Sequence, residues 1–174
     1  MIRKPIVLFL ALLLPVLIFV FLHFFGRNEF NVPIYFQSPS DEVPGDCSIT
    51  YPYHVQDSNF QINGPTVVLF TGGLNEKKVK ESIFQLSRLK DEFKDHAPSI
   101  VLLSQETSGD SGYENEIALD SASYVQMRKC VFLAGSNQLA LIDNEKQIRG
   151  FYSEASLKEV DRLIVELKII FNEY

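Results

Sequence analysis

Residues 65–104 carry the sequence PTVVLFTGGLNEKKVKESIFQLSRLKDEFKDHAPSIVLLS, in which two apolar runs flank an amphipathic segment. Residues 65–71 form an apolar run that ends in Gly72-Gly73, which is typical of a strand buried on both faces. Residues 99–104 predict a second buried strand. Between them, apolar side chains at spacings of 4, 3, 3 and 4 predict one amphipathic helix: Val79, Ile83, Leu86, Leu89 and Phe93. A strand, a helix and a strand in this order predict two parallel neighbouring strands joined by a right-handed crossover.

A hairpin and a second helix are predicted farther along the chain. Residues 138–142 and 147–152 are strand-like and are separated by the polar residues 143–146, which favours an antiparallel hairpin. Ser156 and Glu159 have the spacing of a capping box, which marks the start of a helix. One face of that helix is apolar: Val160, Leu163, Ile164, Leu167, Ile170 and Phe171.

Two further segments complete the predicted order of elements. Residues 48–55 are strand-like but contain Pro52, which suits an edge strand. Residues 113–128 have a weak helical pattern, and we predict a helix there. The resulting order, β-β-α-β-α-β-β-α, predicts an α/β protein with the thioredoxin-like fold, in which helices flank a central mixed sheet.

The N-terminal region predicts a membrane anchor. Residues 5–25 are apolar apart from His23, and a helix of that length rises about 31 Å, which matches a hydrocarbon core of about 30 Å. The run is longer than the apolar region of a cleaved signal peptide and no A-x-A site follows it, so we favour an uncleaved transmembrane helix. Arg3 and Lys4 precede the run, and this charge bias predicts a cytoplasmic N-terminus. The rest of the chain is then expected outside the inner membrane, in the periplasm or its equivalent.

Charge and composition divide the chain into three parts. We expect a cytoplasmic N-terminus and anchor in residues 1–27, a proline-containing tether in residues 28–46, and a thioredoxin-like domain in residues 47–174. Residues 28–174 contain 13 basic and 22 acidic side chains, a formal charge of −9. This balance argues against a nucleic-acid partner, because phosphates require clustered Lys and Arg.

The C-terminal part of the sequence resembles a known family. Residues 141–152, LIDNEKQIRGFY, and residues 159–164, EVDRLI, together with the anchor and the thioredoxin-like pattern, resemble the SCO/SenC family of copper chaperones. The resemblance implies copper binding through a CxxxC motif after the first buried strand and a His before the hairpin. It also implies a role in assembling the copper site of cytochrome oxidase. Thiolates are soft donors that hold Cu(I), and the His completes a site for Cu(II).

The residues that the resemblance aligns with those ligands cannot bind copper in the same way. Gly73 and Lys77 stand where the two cysteines are expected, and residues 134–137, AGSN, offer Gly135 but no His. The resemblance therefore implies a divergent member without the family's copper site. Thiol oxidoreductase activity of the thioredoxin type is not expected either, because it needs a C-x-x-C nucleophile. The pair Gly72-Gly73 is interpreted as turn residues, since it lacks the Lys-Ser/Thr of a phosphate-binding loop.

Cys47 and Cys130 are the two cysteines of the chain. In an oxidising compartment they can pair. A bridge between residues 47 and 130 closes a loop of about 80 residues, which would stabilise the fold by about 4 kcal/mol. Alternatively, Cys130, next to the apolar residues Val131 and Phe132, is a buried free thiol while Cys47 is exposed. A two-thiol metal site is a third alternative.

These observations predict a non-enzymatic accessory or binding module. It would be anchored by residues 5–25, would hold no cofactor and would contact a protein partner, with oxidase assembly components as the partners implied by the resemblance. Two alternatives stay open. The protein can be a residual thiol/disulfide or copper-binding protein that uses Cys47 and Cys130, or a generic thioredoxin-like module of unrelated role.

Overall fold

The computed structural model describes residues 4–25, 31–39, 43, 47–56, 62–105, 113 and 115–171. Of the predicted tether, residues 28–30, 40–42 and 44–46 lie outside the described residues. The chain divides into two units, Met1–Asn31 and Val32–Tyr174.

The described residues of the first unit form one helix. Helix α1 is Lys4–Phe25, with Pro15 inside it, so the apolar run is helical as predicted. Within the described part of the chain, no helix combines the length and the apolar character that crossing a membrane requires. The membrane anchor stays a prediction.

The second unit is built on one five-stranded sheet. Its strands are β1 (Thr66–Phe70), β2 (Ser99–Gln105), β3 (Glu116–Leu119), β4 (Leu139–Ile142) and β5 (Ile148–Tyr152), in the order β3-β2-β1-β4-β5. Strand β1 pairs in parallel with β2 and antiparallel with β4, and β4 and β5 form the antiparallel hairpin. The predicted parallel pairing of the first two strands and the predicted hairpin are both confirmed. This is a thioredoxin-like arrangement with β3 added in parallel at one edge.

The helices cover both faces of the sheet. They are α2 (Glu76–Phe93), α3 (Ser121–Gln126) and α4 (Leu157–Ile170). All five residues of β1 are buried, and successive side chains point to opposite faces. Val67 and Leu69 belong to a core with α2 and α4, which includes Leu86, Leu89, Val160, Leu163 and Leu167. Val68 and Phe70 belong to the core on the other face, with Tyr124, Met127 and Phe132.

The two long helices begin differently. The side chain of Asn75 accepts a hydrogen bond from the backbone N–H of Lys78 at 2.9 Å, which caps α2. Helix α4 begins after Ser156, whose side chain makes no capping hydrogen bond. The predicted capping box is therefore not formed, although the start of the helix is where the sequence places it.

Two predicted elements are wrong. Residues 47–56 belong to no strand, and two of their backbone N–H groups bond outside the sheet: Tyr53 N–H donates to the carbonyl of Phe36 and Val55 N–H to that of Lys146. The segment is thus held by the chain near Phe36 and by the turn between β4 and β5 rather than by a sheet edge. Residues 113–128 are not one helix, because residues 116–119 pair with β2 as strand β3. Helix α3 starts only after Asp120, whose carboxylate accepts from the N–H groups of Ala122 and Ser123.

Residues 32–37, within the segment expected to be a tether, are packed into the second unit. Val32 and Phe36 are buried. The backbone N–H of Tyr35 donates to the carbonyl of Ile148 at 2.9 Å, and Arg149 Nη2 donates to the carbonyl of Val32 at 2.9 Å. This segment is therefore part of the folded core.

Candidate functional site: a cleft at the end of the first strand

The loop that follows β1 forms the first wall of a cleft. Thr71 is buried and directs its backbone N–H and its hydroxyl to the carbonyl of Leu103, at 2.9 and 3.1 Å. The N–H of Gly72 donates to the hydroxyl of Tyr124 at 2.9 Å. A Cβ atom at Gly72 would lie 2.5 Å from Cε1 of that ring, so any other residue would have to displace the buried ring. Gly73 has φ +85°, which supports the interpretation of this pair as turn residues.

The loop before β4 forms the second wall. The N–H of Ala134 donates to the carbonyl of Arg128 at 3.0 Å, and Arg128 Nη2 donates to the carbonyl of Asn137 at 3.0 Å. Gly135 stands between these bonds with φ +56° and is exposed. Arg128 therefore fixes this loop through both its backbone and its side chain.

The structure brings together two of the three positions that the family resemblance aligned with copper ligands. Gly73 and Gly135 both line the cleft, whose volume is about 530 Å³. Lys77 is exposed in the first turn of α2 and does not line the cleft.

The third wall is cationic. It is made by α3 and by the π-helical turn Met127–Val131 that continues it, and it contributes Tyr124, Val125, Arg128 and Lys129. The guanidinium carbon of Arg128 lies 5.6 Å from the centroid of the Phe70 ring. None of the described residues that line the cleft is acidic. The cleft thus carries two positive charges in a chain whose formal net charge is −6.

The hydroxyl of Tyr124 joins the third wall to the loop after β1, because it accepts the hydrogen bond from Gly72. Burial raises the pKa of Tyr124, and the hydrogen bond from Gly72 and the positive charge of Arg128 oppose that rise only in part. Tyr124 therefore stays a neutral phenol at physiological pH. It acts as a fixed hydrogen-bonding group between the loop after β1 and the third wall.

A disulfide borders the third wall. Cys47 and Cys130 are bonded in the structure, with their Cα atoms 5.3 Å apart. Beside the bridge, the hydroxyl of Tyr53 donates to the carbonyl of Val131 at 2.7 Å, and burial raises the pKa of Tyr53 to about 12. Because Cys130 directly follows Lys129, the bridge ties residues 47–55 to the turn that carries the cations.

The described residues contain no group of three His, Cys, Asp or Glu side chains placed to hold a metal ion. His54 Nδ1 lies 3.2 Å from the carbonyl oxygen of Pro52, and His96 is exposed just after α2. The chemistry that the cleft offers is hydrogen bonding and positive charge.

Comparisons with known proteins support no family. No family model matches the chain, and no curated protein matches it. Among solved structures, the chain is similar to the crystal structure of a thioredoxin-like protein from Parabacteroides distasonis ATCC 8503. The identity is 14%, the TM-score is 0.39, and the match covers 70% of this chain and 94% of that one. The thioredoxin-like assignment rests on the strand order and pairing described above, and the SCO/SenC resemblance stays a prediction.

The apolar periodicity of the sequence does not predict the cationic wall. A single predicted helix over residues 113–128 gives Tyr124 and Arg128 no special place, and it ends before Lys129. A usable signal is nevertheless present, because Tyr124 and Arg128 are four residues apart and share one helical face.

Proposed function

We propose that this chain is a thioredoxin-like binding module that works by contact with a protein partner, without a reactive thiol and without bound copper. The observation that carries the proposal is the composition of the cleft at the end of β1. Two of its three glycines, Gly73 and Gly135, occupy positions where the family resemblance implies metal ligands. The two cysteines of the chain are bonded to each other, so neither is a free thiolate that could attack a substrate or hold copper.

A membrane location and a link to oxidase assembly are parts of the same proposal. The helical residues 5–25, preceded by Arg3 and Lys4, support an anchor with the second unit outside the cytoplasm. The resemblance of residues 141–152 and 159–164 to the SCO/SenC family supports a partner among oxidase assembly components.

Copper titration with thiol counting tests the module. The full chain, purified in a nonionic detergent, is titrated with Cu(I) and Cu(II), and its thiols are counted before and after reduction. We expect no stoichiometric copper, no free thiol before reduction and two after it. One equivalent of copper bound with micromolar or tighter affinity would contradict the proposal.

A second candidate function is thiol–disulfide chemistry at Cys47 and Cys130. It is favoured by the position of the bridge, since Lys129 beside Cys130 lines the cleft, and a nearby cation lowers the pKa of a thiol. The test compares the native chain with the Cys47→Ser/Cys130→Ser variant in reduction of a disulfide substrate and in oxidase activity of the host membrane. Equal activities would exclude this candidate. Loss of disulfide reduction in the variant, at a temperature where its tyrosine fluorescence shows that it is still folded, would favour thiol chemistry over the first proposal.

Membrane anchoring has its own test. Membranes that contain the chain are washed with alkaline carbonate, which releases peripheral proteins. The anchor predicts that the chain stays in the pellet and that a protease added to intact cells with a permeabilised outer layer cleaves the second unit. Release by carbonate would contradict the anchor and leave the binding proposal standing.

A further inference from the structure

We propose that the cleft at the end of β1 binds a carboxylate group attached to an apolar body. The inference deepens the proposed function, on which it rests, because a cleft without a thiol is free to bind rather than to react. The ligand is either a free organic acid or the acidic side chain of a protein segment. Both present the same chemistry to the cleft.

The charge of the cleft points to an anion. Arg128 and Lys129 line it, and no described lining residue is acidic. Arg128 uses Nη2 to hold the carbonyl of Asn137, and its guanidinium also acts on the hydroxyl of Tyr124 through its charge and a side-chain hydrogen bond. These contacts hold the positive charge in place at the cleft before an anion arrives, and a hydrogen bond to a charged group is stronger than one between neutral groups. A planar guanidinium beside a Lys is also the arrangement that recognises carboxylates.

The shape of the cleft points to an organic ligand rather than a simple ion. A volume of about 530 Å³ falls in the usual range for small-molecule sites. Val125, which is 54% exposed, and the ring of Tyr124 give the cleft an apolar wall. At Gly73 and Gly135, nothing lies within 4 Å of the position that a Cβ atom would take. Both loops therefore leave room beside the cations.

The closing experiment uses the full chain, labelled with ¹⁵N, in nonionic detergent and a buffer of physiological ionic strength. The probe is 3-phenylpropionate, its uncharged control is 3-phenylpropionamide, and the readout is the amide resonances of Gly72, Gly73 and Gly135. We expect saturable shifts of all three with the acid and much smaller ones with the amide. An N-acetylated, C-amidated Phe-Glu dipeptide identifies the source. Tighter binding of the dipeptide than of the free acid assigns the site to a protein segment, and the reverse assigns it to a small molecule.

Two charge-reversal variants, one in the cleft and one away from it, test whether the cationic wall binds the acid. Lys129→Glu should weaken binding of the acid about tenfold, because it replaces an exposed attraction by a repulsion. Lys158→Glu makes the same change in net charge on the exposed start of α4 and should leave the affinity within about twofold, since that charge is screened at this ionic strength.

Three results would overturn the carboxylate site: equal binding of acid and amide, equal weakening by both variants, or no shift with either the acid or the dipeptide. Thiols counted in the same samples separate this failure from that of the proposed function. An inert disulfide with no carboxylate binding overturns only the site. Reactive thiols overturn the binding module itself.

Discussion

Removal of the Cys47–Cys130 bridge should strongly destabilise the second unit. The two cysteines are 83 residues apart, and closing a loop of that size removes about 15 cal/mol/K of entropy from the unfolded chain. At 25 °C this corresponds to about 4.5 kcal/mol of the free energy of unfolding. A domain of this size has roughly 5–15 kcal/mol in total, so the bridge is expected to supply a large share.

Urea unfolding followed by tyrosine fluorescence measures this effect. All seven tyrosines lie after residue 31, so the signal reports on the second unit without interference from α1. The Cys47→Ser/Cys130→Ser variant should unfold at a clearly lower urea concentration than the oxidised native chain. The native chain under reductant serves as the control and should resemble the variant. A loss below about 1 kcal/mol would refute the reasoning, because it would mean that the bridge does not restrict the unfolded chain as the entropy model requires.

Three further changes have defined outcomes. Gly72→Ala should lower the free energy of unfolding by about 2 kcal/mol, because its Cβ would lie 2.5 Å from the buried Tyr124 ring. Asp143→Asn should cost about 2–3 kcal/mol, because the buried carboxylate accepts from two backbone N–H groups and pairs with Arg149 at 2.9 Å. The pKa of Tyr53 is raised from 10 to about 12 in the folded state, so the folded state keeps the Tyr53 proton up to a higher pH than the unfolded state does. Stability should therefore fall as pH rises from about 10 to 12, and it should fall less in Tyr53→Phe.

Each of these predictions has a matched control or a contrary result. Gly73→Ala meets no atom within 4 Å and should cost only the strain of its positive φ, about 1–2 kcal/mol, so a larger loss than for Gly72→Ala contradicts the steric argument. Asp91→Asn, exposed on α2, should change unfolding by less than about 0.5 kcal/mol. An identical pH dependence in native chain and Tyr53→Phe would show that Tyr53 does not carry the alkaline instability.

The parts of the fold that the sequence could predict are those that local patterns determine. Strand β1, helix α2 and strand β2 follow from apolar periodicity, and the hairpin follows from two strand-like runs around a polar turn. Strand β3 could not be predicted from local patterns, because its residues form a strand only by pairing with β2. That pairing depends on the tertiary structure and leaves no local pattern in the sequence. The strand predicted for residues 48–55 was wrong for the opposite reason. Their sequence is strand-like, but the backbone N–H groups of Tyr53 and Val55 donate to the carbonyls of Phe36 and Lys146, outside the sheet.

The candidate site was predictable only in part. The family resemblance alone assigns Gly73 and Gly135 to one common site, and both line the cleft. The positions of Arg128 and Lys129 could not be predicted in the same way, because they are set by the π-helical turn after α3 and by the disulfide that joins this turn to Cys47. Neither the turn nor the bridge has a periodic signature in the sequence.

The burial of Val32 and Phe36 determines where an autonomous piece of this protein begins. A fragment that starts at residue 47 would remove the Phe36 ring from its edge contact with Phe151, at 6.2 Å between centroids, and would take away the carbonyl that Arg149 binds. A fragment that starts at residue 32 keeps both. Preparation of the second unit for binding or structural work should therefore begin at Val32, where the compact unit begins.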